Sequence, residues 1–376
     1  MSDDFDLPDD RVWLNAAHQG PLPLSAARRI EEMIRWKTRP HHLQPASAFT
    51  NLPRDTRNAV SRLLEADPGQ ITLANGASYG LHLIANGLRL VAGDQAVVAA
   101  NDFPSDILPW KRLENRGVDV MMIRPKQEVV TADEVAAAVG PSTKVVCLTW
   151  VHSFSGQVID LDSIGEICRS AGAWFVVNGS QGVGAMPMSV DQHPIDALVS
   201  VGFKWVCGPY ATGFCWLSPP LDDALEPQKL YWLNALTTDD LEREIDYEDL
   251  NVLRRTDHGR HDIFCPANFL NFAGLLEALR LLERVGIESV AAHNQRLVDH
   301  FLGLLDHSRF DVMSRGKGQL SSILFLDSRA EPLETVVSRL ESEKIDVSIR
   351  RGMIRLSPHF YNTDEDIELA ASALAG

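Results

Sequence analysis

Lys204 is the side chain with the clearest chemical potential. It lies in Ser200-Val201-Gly202-Phe203-Lys204-Trp205, just beyond the apolar run Ala197-Leu198-Val199 and before a glycine-rich turn, Gly208-Pro209-Tyr210-Ala211-Thr212-Gly213. A lysine at the end of a core strand is costly unless its amine is used. One use is condensation with an aldehyde: pyridoxal phosphate (PLP) forms a Schiff base with such an amine. The other reading is a lysine whose stem covers the strand end while its head stays in water.

Two further segments could serve the same chemistry. In Asn75-Gly76-Ala77-Ser78-Tyr79-Gly80-Leu81-His82-Leu83 a glycine turn opens a helix. The free N–H groups and positive dipole end of such a helix suit a phosphate, and Ser78 adds a hydroxyl. An ordinary N-cap serine has the same appearance. In Phe103-Pro104-Ser105-Asp106 an aromatic residue follows a strand. Its face over a pyridine ring would add about 0.5–1.5 kcal/mol beyond burial. A core phenylalanine with a turn aspartate is the alternative.

These residues need a scaffold that brings them to one edge. Strand-like runs recur at Ile71-Thr72-Leu73, Ala96-Val97-Val98-Ala99, Val118 to Met122, Val145 to Leu148, Trp174 to Val177, Ala197 to Ser200 and Phe214 to Leu217. Amphipathic stretches lie between several of them, as at Ser78 to Leu90, Ala132 to Val139 and Leu161 to Ala171. The alternation predicts an α/β fold with a mostly parallel sheet covered by helices on both faces. Ligands of such sheets sit at the carboxyl ends of the strands. Pro219-Pro220 reads as the close of this region, and residues 221 to 263 read as irregular and charged. Helical patterns follow at Phe269 to Val285 and Ile287 to Leu305. Short strands at Ser321 to Leu326 and Val347 to Leu356, around a helix at Glu334 to Lys344, form a smaller α+β part. The predicted division is a large domain over 21–265 and a small one made of 1–20 and 266–376.

Five separated segments together resemble the class V aminotransferase family of fold type I PLP enzymes, which includes kynureninases, cysteine desulfurases and isopenicillin epimerase-like proteins. The resemblance runs from Trp13-Leu14-Asn15-Ala16-Ala17 to Phe360-Tyr361-Asn362-Thr363. It implies that Lys204 carries PLP, that the segment with Ala77 and Ser78 holds the phosphate, and that Phe103 stacks on the ring. Asp106 is expected to fix that loop or to contact the phosphate region. In Trp174-Phe175-Val176-Val177-Asn178-Gly179-Ser180-Gln181, Gln181 matches the residue near the phenolic oxygen of PLP. Asn178 stands where the family has an aspartate that keeps the pyridine nitrogen protonated. An amide cannot hold a pyridinium electrostatically, but it can donate an N–H to an unprotonated nitrogen. A buried strand-end asparagine satisfied by backbone is the plainer reading. Asn and Asp are nearly isosteric, so Asn178→Asp is expected to protonate the ring nitrogen with little change in stability.

Phe203 replaces the His or Tyr often found before the lysine, so phosphate binding is expected to lean on Ser78, backbone N–H groups and Ser200. Cys265-Pro266-Ala267-Asn268 matches the segment that reaches into the partner's site, which implies a homodimer and places Asn268 at the cofactor. Arg355, in Ile354-Arg355-Leu356-Ser357-Pro358-His359, matches an arginine whose planar fork binds the substrate α-carboxylate. Arg350 and Arg351 do not match it, and a solvated strand arginine remains the alternative for Arg355. Asn15 and His18, on the N-terminal loop, are expected beside the substrate. Cysteine desulfurases carry a mobile-loop cysteine shortly before this arginine. Here only Ile349-Arg350-Arg351-Gly352-Met353-Ile354 separates Ser348 from Arg355, so a persulfide mechanism lacks its nucleophile.

Composition narrows the function classes. The chain has 376 residues, 45% hydrophobic, with a net charge of -16 and no basic stripe, which argues against nucleic-acid binding. No apolar stretch is long enough to cross a bilayer. The acidic opening Met1-Ser2-Asp3-Asp4 has no signal-peptide core, and five scattered cysteines suggest reduced thiols in a cytoplasm. The histidines, including His41-His42, His258 and His261, show no metal-site spacing. The expectation is a PLP enzyme acting on an amino acid. β-Elimination at a Cβ leaving group, as from an S-substituted cysteine, is favoured because a neutral ring is a weak electron sink. Transamination, decarboxylation or epimerisation of a modified amino acid, and PLP binding without turnover stay open.

Overall fold

Near-continuous apolar strands, most of them buried on both faces, build the large sheet. The computed structural model describes residues 2–8, 10–42, 45–226, 242–244, 261–263, 268–313 and 321–376. The sequence readings at Arg254-Arg255, His258, Arg260 and Cys265-Pro266-Ala267 lie outside them. After a short strand β1 (Val12–Trp13) come β2 (Ile71–Ala74), β3 (Gln95–Ala99), β4 (Asp119–Ile123), β5 (Thr143–Thr149), β6 (Trp174–Asn178), β7 (Ala197–Val201) and β8 (Gly213–Leu217). Strands β2 to β8 form one sheet in the order β2-β8-β7-β6-β5-β3-β4. Neighbours from β7 to β4 are parallel, while β8 runs antiparallel to both β7 and β2.

Alternation along the strands divides the core. Val97, Val146, Val177 and Leu198 join the apolar cluster on one face, with Ile164 of the helix Leu161–Ala171 and Phe272 and Leu279 of the helix Phe269–Val285. Val98, Cys147, Val176 and Val199 join the cluster on the other, with Leu81 and Ile84 of the helix Ala77–Gly87. The parallel strands therefore end together at one edge, and Thr149, Asn178 and Val201 mark it.

The smaller part has its own core. Strands β9 (Phe310–Val312), β10 (Leu324–Ser328), β12 (Ser348–Arg350) and β13 (Met353–Leu356) form an antiparallel sheet in the order β12-β13-β10-β9, while β11 (Ile345–Asp346) pairs in parallel with β1. Val12 and Leu14 pack with Phe301, Leu326, Ile354 and Leu374, so the N-terminal stretch belongs with this core. The helix Phe269–Val285 instead packs against the helices Leu24–Thr38 and Pro45–Leu64 and shares the large sheet's core.

Two sequence readings change, and two helices are added to them. Val347 to Leu356 is not one strand: Arg351 and Gly352 take φ 51° and 76° and fold it into the hairpin β12–β13. Two consecutive left-handed residues match the twist of a two-residue hairpin. Pro219-Pro220 starts the helix Pro219–Ala224 rather than only closing a region, because a first-turn proline lacks an N–H that the helix would leave unpaired. The helices Leu24–Thr38 and Pro45–Leu64 had no counterpart in the sequence reading.

Candidate active site

The turn that carries Lys204 is tied from several directions. Within it, the Cys207 N–H donates to the Lys204 carbonyl (3.0 Å) and the Gly208 N–H to the Gly202 carbonyl (2.7 Å). From the N-terminal segment, the Gly20 N–H donates to the Phe203 carbonyl (2.9 Å). A Cβ on Gly20 would stand 2.3 Å from the Lys204 carbonyl oxygen, so only glycine lets the two segments approach this closely. His359 Nε2 lies 2.8 Å from the Trp205 carbonyl, and Trp205 Nε1 donates to Gln181 Oε1 (2.9 Å). The lysine thus has a fixed root and only its side chain is free to move.

Its amine faces a cavity of about 520 Å³ at the carboxyl edge of the sheet, a size that suits a small ligand. The walls include His18, Ala77, Ser78, Phe103, Thr149, Ser153, Phe154, Asn178, Gln181, Lys204, Arg350 and Arg355. Removal from water pushes the Lys204 amine down to about 8; the Arg355 charge adds to this, and Asp106 opposes it. Also in the lining, Gly76 caps the helix Ala77–Gly87 with no side-chain hydrogen bond, leaving the helix start open to the cavity. Strand β8 supports this corner closely: a Cβ on Gly213 would lie 2.8 Å from Gly76 Cα and 2.5 Å from the Ser200 carbonyl oxygen. Phe103 is 45% exposed, and its ring centroid is 5.8 Å from Lys204 Nζ. Phe154 lies beside it, with centroids 6.3 Å apart and planes 21° from parallel.

Asn178 ends β6 and is fully committed in orientation. Its Oδ1 accepts the Ser180 N–H (3.0 Å), so Nδ2 points to Asp106 and donates to Oδ1 at 2.7 Å. Asp106 is completely buried, and its Oδ2 has no partner among the described residues. Burial pushes its carboxyl up to about 7, against the opposing pull of Asn178 and Lys204. Asp102, also buried, accepts the Thr149 N–H (3.0 Å) and is raised as well, by burial and by the neighbouring Asp106 charge. A carboxyl raised in the folded state binds its proton more tightly than in the unfolded chain. Stability is therefore expected to fall as pH rises from about 4, the ordinary carboxyl range, to about 7. Asp106→Asn should reduce that slope in melting curves taken across the window. An unchanged slope would show that Asp106 is ionised throughout.

Arg355 is 3% exposed yet weakly engaged. Nη1 reaches the Ser153 carbonyl at 3.4 Å, Nη2 reaches Ser348 Oγ at 3.5 Å, and Nε has no partner among the described residues. Burial, then the Arg350 charge, pushes it down to about 10. His18 is held below its usual range by burial and by Arg350, Arg355 and Lys204, so it is neutral at physiological pH.

The structure thus brings Lys204, Ala77, Ser78, Phe103, Asn178, Gln181, Arg355 and His18 to one cavity. Three expected residues do not line it, and Asn268 is expected at the partner's site rather than at this one. Asp106 is fully buried and accepts the Asn178 amide instead of facing the cavity. Ser200 is fully buried and donates to the Val201 carbonyl; alternation along β7 turns Val201, not Ser200, to the cavity. Asn15 is buried and accepts the Ser348 hydroxyl at 2.8 Å, so it acts on Arg355 only through Ser348. Asn268 caps the helix Phe269–Val285 by accepting the Asn271 N–H. Conversely, Ser153, Phe154 and Arg350 line the cavity without having been singled out. Phe154 and Ser153 sit in a loop after β5 that carries no motif. Arg350 does not match the family arginine, so the resemblance does not mark it.

The class V aminotransferase family model matches residues 22–369. A probable cysteine desulfurase of Methanothermobacter thermautotrophicus is 26% identical over 99% of this chain and 96% of its own length. The isopenicillin N epimerase of Streptomyces clavuligerus is 25% identical over 96% of this chain and 94% of its own. Among solved structures, a cystine C–S lyase in complex with its reaction product cysteine persulfide superposes with a TM-score of 0.87 at 20% identity, covering 98% of each chain. An apo cysteine desulfurase from Thermococcus onnurineus NA1 has a TM-score of 0.85 at 20% identity, over 99% of this chain and 96% of that one.

Proposed function

Because the chain belongs to the class V aminotransferase family, we propose that it is a PLP-dependent enzyme that breaks a C–S bond at Cβ of an amino acid by elimination. The carrying observation is that the Lys204 amine and the Arg355 guanidinium share one cavity whose described walls hold no cysteine. The residues fit the cofactor. The uncapped start of the helix Ala77–Gly87, with Ser78, suits the phosphate; Phe103 suits a face of the ring, Asn178 its nitrogen edge, and Lys204 the aldehyde. When bound, PLP supplies the carbonyl for the substrate amine and a ring that draws off electron density from Cα.

The protein's own part is binding and proton movement. Arg355 offers its loosely held Nη groups to the α-carboxylate, and its buried Nε has no partner among the described residues. The Lys204 amine, half neutral near pH 8, is suited to take the Cα proton and return one later. Asn178 has one N–H on Asp106 and a second available to the ring nitrogen, a neutral donor that favours elimination over transamination. A desulfurase-type persulfide needs an exposed thiolate. The described cysteines, Cys147, Cys168, Cys207 and Cys215, are all buried, and burial pushes each thiol up.

Incubation of the PLP-loaded protein with an S-substituted cysteine should release thiol, ammonia and a 2-keto acid with no net consumption of cofactor. Borohydride should fix the label on Lys204. Accumulation of the aminated cofactor without thiol release would favour an aminotransferase, and a label on another lysine would remove the assignment. Arg355→Lys keeps the charge and loses the fork. Substrate binding should weaken by about 1.5–3 kcal/mol with PLP retention unchanged. Equal affinity in Arg355→Ala, measured by titration with the same amino acid, would place the carboxylate elsewhere.

The same reading includes a two-fold homodimer burying roughly 2,000 Å² or more, as family sites are completed across a dimer. Asn268 would contribute from the partner. A fully PLP-loaded monomer in light scattering at micromolar concentration would contradict it. The proposed division remains 21–265 against 1–20 with 266–376, with the helix Phe269–Val285 packing back on the large sheet. No helix among the described residues is long and apolar enough to cross a membrane. Free, buried thiols support a cytoplasmic setting.

A further inference from the structure

We propose that Arg350 is a second anion-binding position, and that the enzyme selects amino acids bearing a second acidic group beyond Cβ. This rests on the reading that Arg355 takes the α-carboxylate. The hairpin register carries the inference. Ser348 pairs with Arg355, and Arg350 with Met353. Directly paired residues share a face, so Arg350 and Arg355 project from the same side of the sheet. They stand diagonally across the strand pair, with Cα atoms roughly 7–8 Å apart, and both line the cavity with Lys204 and His18.

The charge around them is one-sided. No Asp or Glu is found among the described residues that line the cavity, although the chain carries 51 acidic residues against 35 Lys and Arg. Other arginines of the smaller part are matched to carboxylates: Arg296 with Asp364, Arg309 and Arg339 with Glu331, and Arg329 with Asp311. Arg351 lies over the Phe154 ring, 4.4 Å from its centroid, and donates to the Asn101 carbonyl. Arg350 has one described hydrogen bond, to the neutral carbonyl of its neighbour Ile349 (2.8 Å). One guanidinium suffices for an α-carboxylate, and the open helix start provides for a phosphate. Arg350 is a remaining cation whose field reaches His18, Lys204 and Arg355. A carboxylate or sulfonate at the end of a substrate side chain is the anion it would meet.

Matched probes separate this from a general need for positive charge. L-Glutamate and L-glutamine differ in one charge at nearly constant shape, and L-alanine has no side-chain anion. In calorimetry with the PLP-loaded enzyme, L-glutamate should bind about tenfold or more tighter than L-glutamine. Arg350→Gln should bring the two within about twofold of each other, leave L-glutamine, L-alanine and PLP content as in the parent, and be partly rescued in Arg350→Lys. The proposal is overturned if the parent shows no preference, if the preference survives in Arg350→Gln, or if that variant instead loses PLP, which would assign Arg350 to the phosphate. If L-alanine itself does not bind the parent, the amino-acid reading of the site fails, and this inference with it.

Discussion

Lys204→Ala should lower turnover by about two to four orders of magnitude, the range for a lost acid–base group, while the fold stays intact. The retained fold follows from where the turn is held. Its anchors are backbone groups and neighbours: Gly20 on Phe203, Cys207 on the Lys204 carbonyl and His359 on the Trp205 carbonyl. None uses the lysine side chain. Removing an amine whose charge is opposed by Arg355 and by loss of water should leave the melting temperature equal or higher. A small primary amine added in solution should restore part of the rate, and the restored rate should follow the free amine's own pKa rather than the parent's value of about 8. A variant with parental turnover, or one that fails to melt cooperatively, would show that the lysine has another task.

Asn178→Asp should do the opposite of what isosterism suggests. Shape is kept, but the new carboxylate would face Asp106 across the 2.7 Å contact that the amide now bridges by donating. Two buried carboxylates at that distance cannot both ionise, and a lost buried hydrogen bond costs about 1–3 kcal/mol. The variant should therefore be destabilised at neutral pH, correcting the expectation of little change. As pH falls the pair takes up a proton and the deficit should shrink. The exchanged pair, Asn178→Asp with Asp106→Asn, restores one amide and one carboxylate and should recover most of the stability. It also moves the acid to the cavity side, so nitrogen-15 NMR of bound labelled cofactor should report a protonated ring nitrogen there and an unprotonated one in the parent. Melting curves with equal stability for the single and exchanged variants, or a pyridinium already in the parent, would refute this account of Asn178.

Legibility of these features in the sequence depended on the range of the forces that make them. Strands β2, β3 and β5 to β8 were readable because each buried run is largely apolar on both faces and closed by turn residues, and β4 at the edge by its apolar Val120 to Ile123. Leu161–Ala171 had a strong amphipathic period and an Asp160 cap, so its bounds were read as found. Lys204, Ser78 and Phe103 were readable because each sits next to a local signal, a strand end or a helix start. Arg350 was not. In a single strand it and Arg355, five residues apart, face opposite ways. Only the left-handed pair Arg351-Gly352 reverses the chain and puts them on one side. The bond between Asp106 and Asn178 was hidden for a similar reason, since the two lie 72 residues apart and no local pattern records a contact of that span.

The stretch from Asn15 to Gly20 ties the two cores together. Asn15 bridges Ser357, the Ala17 N–H donates to Ser357 Oγ 340 residues further on, Gln181 donates to the Ala17 carbonyl, and Gly20 holds the lysine turn. During synthesis Ala17 leaves the ribosome 340 residues before its partner Ser357. The strands that present Lys204 and Asn178 can pair long before then, but the wall made by Arg350 and Arg355 cannot close. The order of translation thus separates the making of the pocket's floor from the making of its gatekeepers. A nascent chain stalled before residue 345 would hold the lysine without the arginines that choose what reaches it.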